Sequence, residues 1–270
     1  MVRLSNHEPS SAADLRSSFE SLRTTGWPRP GWARSPAVSA GAVPLGCRLR
    51  RVTEQPDPNF LRLFPLQSVV LFPGMELPPV VFEPRYVQLT NECTEADEPF
   101  GVLLLRAGRE VGDDAVDPHD VGTTAHIRSV NPLGQGRFSV TAVGGRRFRV
   151  RSLSHDRPYL SADVEYLEDD AAEDIGPPLV ASVKQDAAAF IKTMLAMRGG
   201  YVREIPLPDD GVVLSYQVAQ LFQGNADIQQ KLLELPTADR LSDELELIKK
   251  ATEQVNRRGQ ERQRRRFSSN

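Results

Sequence analysis

The sequence predicts an α+β fold in which a β-rich unit is followed by an α-helical bundle. Beyond Asn59, short stretches rich in Val, Leu and Phe alternate with Pro-Gly and Gly-Gly pairs, which is typical of strands joined by tight turns. After Gly176-Pro177-Pro178, apolar residues recur every three or four positions, as they do on one face of a helix. The 270 residues are enough for one large or two modest domains with their own cores.

The composition divides the chain into four segments. Residues 1–57 mix Ser, Arg, Pro and Gly without a helical or strand period, and we predict a disordered arm. Residues 58–168 form the predicted β-rich subdomain, and residues 169–256 form an α-helical subdomain of the same unit. Residues 257–270 are rich in Arg and predict a disordered basic tail.

The β-rich segment contains eight apolar stretches of strand length and one helical stretch. The strands are predicted at 61–63, 69–72, 79–82, 101–106, 122–130, 137–143, 147–153 and 160–167. A helix is predicted over 84–96, with Pro84 at its first position, where the missing amide hydrogen would have no partner in any case.

Four helices are predicted in the second subdomain, at 178–197, 211–222, 228–235 and 238–257. Thr237 is in the right place to cap the last of them. The acidic residues that accumulate between positions 165 and 174 predict a solvated linker before the first helix.

The bulk charge argues against some partners. A net charge of −3 and a pI near 5.9 give no overall attraction to nucleic acid or to an anionic membrane. No apolar run approaches the roughly 20 residues that span a bilayer, and the start has no basic-then-apolar signal. We therefore expect a cytoplasmic protein without a membrane partner, whose two thiols, Cys47 and Cys93, are reduced.

No pattern for catalysis or cofactor binding is present. The phosphate-binding pattern Gly-x-x-x-x-Gly-Lys-Ser/Thr and the nucleophile pattern Gly-x-Ser-x-Gly are both missing from the sequence. Ser182 and Lys184 are two residues apart on a predicted helix, so their side chains should point to different faces. We predict no catalytic residue and no cofactor.

One acidic loop holds the densest set of possible metal ligands. Its spacing fits neither an EF-hand nor a zinc site, so we predict a polar loop and no metal. The residues of this loop are Asp113, Asp114, Asp117, His119 and Asp120.

Basic residues leave a nucleic-acid alternative open. In the strand around Phe148, arginines alternate with apolar residues, which predicts Phe148 and Val150 inside the sheet and the arginines outside. Arginines can also neutralise phosphates. A stronger basic cluster stands in the tail, at Arg257, Arg258, Arg262, Arg264, Arg265 and Arg266.

Prolines interrupt three apolar runs at fixed places, and an ordered series of shorter motifs follows. The runs are Leu63-Phe64-Pro65-Leu66, Leu71-Phe72-Pro73-Gly74 and Phe82-Glu83-Pro84-Arg85-Tyr86, and later members include Gly145-Arg146-Arg147-Phe148 and Leu235-Pro236-Thr237-Ala238-Asp239-Arg240-Leu241. The series resembles the substrate-binding domain of Lon proteases over about residues 59–255. Arg62 departs from it, because that family usually has proline there.

The resemblance implies a PUA-like pseudo-barrel followed by a helical bundle. It also implies a stand-alone, non-catalytic module that recognises unfolded or specific protein segments and serves as an adaptor in protein quality control. Client polypeptides are the expected partners, with a separate protease as a further one. An RNA-binding PUA-like protein and an unrecognised hydrolase are the alternatives.

The resemblance also gives two sets of residues. The candidate peptide-binding residues are Phe64, Leu66, Phe72, Met75 and Phe82. The motif residues expected to maintain the fold are Pro65, Pro73, Glu83, Pro84, Arg85, Tyr86, Gly145 and Phe148.

Overall fold

A computed structural model describes residues 59–107, 116–170 and 175–267 of the chain, and in the last helix the side chains are described as far as Arg257. The arm predicted at 1–57 lies outside the described residues.

Within the described residues, the β-rich subdomain contains eight strands, five of which close into a barrel. The strands are β1 (Phe60–Leu66), β2 (Glu76–Leu77), β3 (Val80–Val81), β4 (Phe100–Ala107), β5 (Asp117–Pro118), β6 (Val121–Gly134), β7 (Arg137–Ser154) and β8 (Ser161–Tyr166). The sheet order is β1-β8-β7-β6-β4-β5, and β1 also pairs with β4, which closes the barrel, while β2 and β3 pair with β7. The β1–β4 pair is parallel and the other pairs are antiparallel.

Helix α1 (Pro84–Ala96) packs its apolar face on the barrel. Its Tyr86 ring lies edge-on to Phe64 with centroids 4.5 Å apart, and Phe64 in turn contacts Phe100 at 5.9 Å. Such edge-on aromatic pairs add to the stabilisation that burial provides. The helix has the bounds and the first-position proline that the sequence predicts.

Two predicted strand boundaries were wrong. Residues 137–143 and 147–153 belong to one long strand, β7. Residues 69–72 form no strand in the described structure, although Val70, Leu71 and Phe72 are buried. Leu71 packs into the barrel core, while Val70 and Phe72 pack toward the helices, so this segment buries both faces without joining the ladder.

The second subdomain is helical, as predicted. It contains α2 (Pro177–Met197), α3 (Gly211–Ala219) with a following turn of 3₁₀ helix (Gln220–Phe222), α4 (Ala226–Glu234) and α5 (Thr237–Phe267). Helices α2, α3 and α5 share a core that includes Val183, Ala187, Leu214, Val218, Leu241 and Ile248. Within the described residues, no helix combines the length and the hydropathy that a bilayer crossing requires.

Helix α5 differs from its prediction at both ends. It continues to Phe267, so the segment that was expected to be a disordered tail is helical up to that residue. At the start, the backbone N–H of Ala238 donates to Oδ2 of Asp170 (3.1 Å), while the Thr237 hydroxyl accepts from Arg240 (3.2 Å). The linker carboxylate therefore satisfies a free N–H of the first turn, in the role predicted for Thr237.

Candidate functional site

The five candidate peptide-binding residues occupy two different environments. Phe64, Leu66 and Phe72 are at most 2% exposed and belong to the core, so they present no surface to a peptide. Met75 and Phe82 are half-buried. The structure thus corrects the sequence-based set and leaves Met75 and Phe82 as candidates.

A tight turn positions Met75. The N–H of Met75 donates to the carbonyl of Phe72 (3.0 Å), with Pro73 second in the turn and Gly74 third at φ 78°. Proline second and a positive φ third define a type II turn, and that φ favours glycine. The Pro73-Gly74 pair of the motif therefore determines the direction in which the chain leaves Phe72.

The turn is attached to the middle of β7. The N–H of Gly74 donates to the carbonyl of Gly144, and the N–H of Gly144 donates to the carbonyl of Met75, both at 2.8 Å. A Cβ on Gly144 would lie 2.2 Å from the carbonyl oxygen of Phe72. Only glycine permits this close approach, and the backbone on both sides of Met75 is consequently fixed.

Met75 lies where the barrel meets the helices. It packs against the barrel core and also against a second cluster, which we call the junction cluster. The junction cluster consists of Val70, Phe72, Leu104 and Val121 from the barrel and Tyr216, Ala219, Leu232 and Leu233 from the helices. Four half-buried apolar residues that pack against it, Met75, Phe222, Ala226 and Ile228, form the junction rim.

A small recess opens beside the junction cluster, between α4 and α5. Its apolar lining consists of Ile228, Leu232 and Leu247, and its volume is about 200 Å³. The ion pairs Lys231–Asp243 (2.6 Å) and Lys250–Glu246 (3.3 Å) form its polar lining. Small-molecule sites usually measure about 300–1,000 Å³, so the recess suits one or two side chains of a polypeptide better than a cofactor.

Arg147 connects the barrel to the helices. It was predicted to be outside the sheet with the other arginines of β7, but its side chain is only 4% exposed. Its guanidinium donates to the carbonyls of Leu233 (2.9 Å) and Leu235 (2.8 Å) and to Oδ1 of Asp169 (2.8 Å). Arg147 does point away from the barrel interior, as alternation requires, but the helical subdomain covers that face.

A second buried arginine continues the network. Arg240 is fully buried and donates to the Ser215 hydroxyl (3.0 Å) and the Leu235 carbonyl (3.1 Å). Its guanidinium lies 4.1 Å from the centre of the Tyr216 ring, and the Tyr216 hydroxyl donates to Asp169. Burial lowers the pKa of Arg240 and raises the pKa of Tyr216, so Tyr216 keeps its proton as the donor to Asp169.

Glu244 lies one turn beyond Arg240 on α5 and is fully buried. Neither of its carboxylate oxygens has a hydrogen-bond partner within the described part of the chain. Burial raises its pKa well above the ordinary value, and the charge of Arg240 only partly opposes this. A buried carboxyl without partners is much less costly when neutral, so we expect Glu244 to hold a proton.

Most of the remaining motif residues are buried or half-buried, whereas Pro84 at the start of α1 is exposed. Arg85 donates to Oε2 of Glu83 (3.0 Å) at the start of α1, and its guanidinium lies 4.7 Å from the centre of the Tyr86 ring. Pro65 is buried in β1 and Phe148 is 0% exposed. A Cβ on Gly145 would lie 2.6 Å from Oγ1 of Thr124.

Ser182 and Lys184, the two residues considered for catalysis, bond to different partners. The Ser182 hydroxyl donates to the Pro178 carbonyl (2.9 Å) on its own helix, while Lys184 pairs with Asp209. The two side chains therefore have separate partners and form no nucleophile–base pair.

The acidic loop is described only in part. Asp117 and Asp120 both lie near Arg106, at 3.8 and 2.8 Å, whereas Asp113 and Asp114 lie outside the described residues. Across 59–107, 116–170 and 175–267, no three His, Cys, Asp or Glu side chains come together as possible metal ligands.

Comparison with known proteins identifies the family. A family model described as the ATP-dependent protease La (LON) substrate-binding domain matches residues 61–250. The chain belongs to this family. The match runs from the first barrel strand into α5, and it therefore includes both sides of the junction.

Curated relatives of the chain are Lon proteases. Lon protease 2 of Myxococcus xanthus is 28% identical over 223 residues, which are 80% of this chain and 26% of that protein. The Lon protease of Roseiflexus castenholzii is 31% identical over 169 residues, which are 62% of this chain and 20% of that protein. The chain thus spans about a quarter of the length of the first of these relatives.

Two solved structures share the fold. The Lon N-terminal domain protein from Xanthomonas campestris has a TM-score of 0.51 at 24% identity, covering 68% of this chain and 95% of that one. The N-terminal domain of the Mycobacterium avium complex Lon protease has a TM-score of 0.50 at 16% identity, covering 70% and 98%. The predicted α+β fold, a β-rich barrel followed by helices, is confirmed.

Proposed function

We propose that this protein is a stand-alone, non-catalytic module that binds unfolded or specific segments of client proteins in the cytoplasm. The observation that carries the proposal is the membership of residues 61–250 in the Lon substrate-binding domain family. In this proposal the module is an adaptor, which holds a client for a separate protease that supplies ATP hydrolysis and peptide-bond cleavage.

The junction rim supports this function. Met75, Phe222, Ala226 and Ile228 are apolar side chains that remain partly accessible beside a packed cluster. Partly exposed apolar groups supply affinity for the apolar side chains that an unfolded chain exposes. Met75 suits varied clients in particular, because its unbranched thioether chain adapts its shape to different neighbours.

The test is binding to fluorescein-labelled casein, which is largely unfolded. We expect the casein anisotropy to rise on titration with the protein, and unlabelled folded lysozyme to compete poorly. Replacing Met75 by Gln, with Phe222→Gln, should weaken binding about thirtyfold, since each change removes about 1 kcal/mol of apolar contact and the two together remove about 2 kcal/mol.

The matched control is Leu153→Gln, which removes another exposed apolar side chain near the far end of β7. Equal binding losses in the control and in the rim variant would argue against the rim. Absence of casein binding by the wild-type protein would overturn the proposed function.

The same samples address the hydrolase alternative. Casein incubated with the protein, with and without MgATP, should remain intact on a gel. Casein fragments that accumulate in proportion to protein concentration would show that the module has a catalytic activity of its own.

The RNA alternative predicts a salt-sensitive complex with single-stranded RNA. Several barrel arginines already have acidic partners, however. Arg146 pairs with Glu168 (2.5 Å), Arg151 pairs with Glu165, and Arg106 pairs with Asp120 (2.8 Å). Paired arginines have less charge to offer to phosphates, which weakens the RNA alternative at these three positions of the barrel.

A further inference from the structure

The barrel has an open edge on the far half of β6. Strand β4 pairs with β6 only as far as Ala125, which lies opposite Phe100. From Ile127 to Leu133, β6 pairs with β7 on one side and has no partner strand on the other side within the described residues. We call this stretch of β6, residues 127–133, the hairpin edge. Its outward backbone groups are available to a further strand.

A row of apolar residues on neighbouring strands ends at the hairpin edge. Val81, Phe138 and Pro132 lie opposite one another on β3, β7 and β6. Opposed residues of antiparallel strands share a face of the sheet. Val81 is 2% exposed, Phe138 is half-buried and Pro132 is exposed, so the cover over this face decreases toward the edge.

A second row parallel to the first has the same gradient. Val140 on β7 is 1% exposed, whereas its partner Val130 on β6 is half-buried. A strand added outside β6 would place its alternate side chains next to Val130 and Pro132 and would complete the cover over both rows.

The hairpin is strongly basic in an acidic chain. The net charge of the whole chain is −3, yet residues 121–155 contain no Asp or Glu. They contain six arginines, at Arg128, Arg137, Arg146, Arg147, Arg149 and Arg151.

The arginines near the hairpin edge are available for a partner. Arg146, Arg147 and Arg151 form ion pairs with acids outside the hairpin. Arg128 and Arg137 are exposed, and no carboxylate of the described residues lies within ion-pair distance of either. Their charge favours a ligand that carries carboxylates.

Two features limit what can occupy the edge. The register with β7 shifts between Ile127 and Ser129, and Pro132 has no N–H to donate. Bulges and prolines on an edge interrupt long pairing with another sheet, including a second copy of this hairpin. The uninterrupted stretch between them suits a short extended segment of about three to five residues.

We propose that the hairpin edge binds a short, extended, acidic segment of a client polypeptide as an added strand outside β6. The apolar residues of the segment continue the rows that end at Val130 and Pro132, and its carboxylates pair with Arg128 and Arg137. This inference rests on the proposed function and specifies its substrate class. The open backbone edge favours a polypeptide over RNA, because strand addition uses amide groups that RNA does not have.

The probe for the test is a short fluorescein-labelled peptide in which Val alternates with Glu. We expect the wild-type protein to bind it, and to bind poorly both a version with Lys in place of Glu and a version with N-methylated backbone amides. The double variant Arg128→Glu with Arg137→Glu should weaken binding of the Val/Glu peptide at least about tenfold, because each attraction becomes a repulsion.

The matched control is the charge reversal Lys192→Glu on the exposed face of α2. It should leave peptide affinity unchanged within about twofold. Binding that tolerates N-methylation, or that falls equally in the control, would overturn strand addition at this edge. Urea unfolding of each variant confirms that the fold is retained.

Casein separates this inference from the proposed function. Casein binding by wild-type protein that does not bind the Val/Glu peptide would refute the edge and leave the module function intact, whereas failure to bind either would refute both. A poly(U) complex that depends on Arg128 and Arg137 without peptide binding, or a dimer abolished by their reversal, would identify another occupant and overturn the proposal.

Discussion

The Arg147 guanidinium and the hydrogen bonds that it donates form what we call the Arg147 fork. Its removal is the sharpest test of the junction. Replacing Arg147 by Met keeps an unbranched apolar stem of similar length but removes every donor. The carbonyls of Leu233 and Leu235 and the Asp169 carboxylate then lose the donors that lie 2.8–2.9 Å away. The site is buried, since Arg147 is 4% exposed, so water cannot replace these bonds easily.

The expected loss of unfolding free energy follows from these contacts. A hydrogen bond that involves a charged group contributes about 1.5–3 kcal/mol, but bonds that share one guanidinium are not additive. Removing one member of a buried ion pair typically costs about 3–5 kcal/mol. We therefore expect the free energy of unfolding of Arg147→Met to be about 4 kcal/mol lower than that of the wild-type protein. At a urea m-value of about 2 kcal/mol/M, this lowers the unfolding midpoint by about 2 M.

The assay is urea unfolding of the whole chain, followed by circular dichroism. Arg149→Met is the matched control, because Arg149 is an exposed arginine two residues further along the same strand, and it should change stability by less than about 0.5 kcal/mol. Arg147→Lys should fall between them, since Lys keeps the charge without the planar fork. Equal losses for Arg147→Met and Arg149→Met would refute the role assigned to this fork.

Three further predictions follow from buried groups and close contacts. The pKa of the Glu244 carboxyl is raised in the folded protein, so the folded state binds the carboxyl proton more tightly than the unfolded state does. The free energy of unfolding should therefore fall as pH rises above the ordinary pKa of 4.5. Glu244→Gln should remove this pH dependence in urea titrations between about pH 5 and pH 8. Gly144→Ala places a Cβ 2.2 Å from the Phe72 carbonyl oxygen, so it should lower the unfolding free energy by about 1–3 kcal/mol and also weaken casein binding. Burial raises the pKa of Cys93 to about 12, so iodoacetamide should modify it only after urea unfolding, which mass spectrometry of the Cys93 peptide would show.

Each of these predictions has a clear contrary result. A Glu244→Gln variant with the same pH slope as wild type would mean that Glu244 ionises freely in the folded protein. Gly176→Ala is the control for Gly144→Ala, because a Cβ there has no neighbour closer than 4.0 Å; equal effects would exclude the contact with the turn. Alkylation of Cys93 in the native protein at the rate of an exposed thiol would show that α1 opens readily.

Local sequence signals predicted the elements whose causes are local. Pro84 marks the start of α1, and the helix has the predicted bounds. The two glycines of Leu133-Gly134-Gln135-Gly136 signal the turn between β6 and β7, and both adopt the positive φ that glycine tolerates. Gln135 between them also has a positive φ, which its residue type does not predict. Such signals depend on neighbours in the chain, so they can be recognised without knowledge of the fold.

The junction could not be predicted in the same way. An arginine on the outer side of β7 is expected to be solvated, and the same pattern gives a buried Arg147 only because the helices cover that face. Asp169 and Asp170 belong to an acidic run that predicts a solvated linker, yet both side chains bond to groups in the junction. Two motifs, Gly145-Arg146-Arg147-Phe148 and the Leu-Pro-Thr-Ala-Asp-Arg-Leu run around Arg240, marked this region in the sequence, without showing that Arg147 and Arg240 are buried there.

The candidate peptide-binding residues failed for a related reason. Phe64, Leu66 and Phe72 were chosen because they are large and apolar, but the same property makes them core residues when a cover is available. Periodicity cannot distinguish a lining residue from a core residue, because both are apolar at the same spacing. The distinction depends on what packs over each face, which is a property of the tertiary structure.

The proposed binding function requires apolar side chains that stay accessible, although burying them would be favourable. The junction rim solves this problem through its backbone. Met75 cannot move inward, because hydrogen bonds from Gly74 and Gly144 hold the chain on both sides of it and Phe72 already occupies the core beneath the turn. The Arg147 fork in turn bonds β7 to the Leu233 and Leu235 carbonyls at the end of α4, and it thereby holds α4 against β7. The buried network around Arg147 and the half-buried junction rim are therefore linked through α4, and weakening the network should change binding at the junction rim before it unfolds the chain.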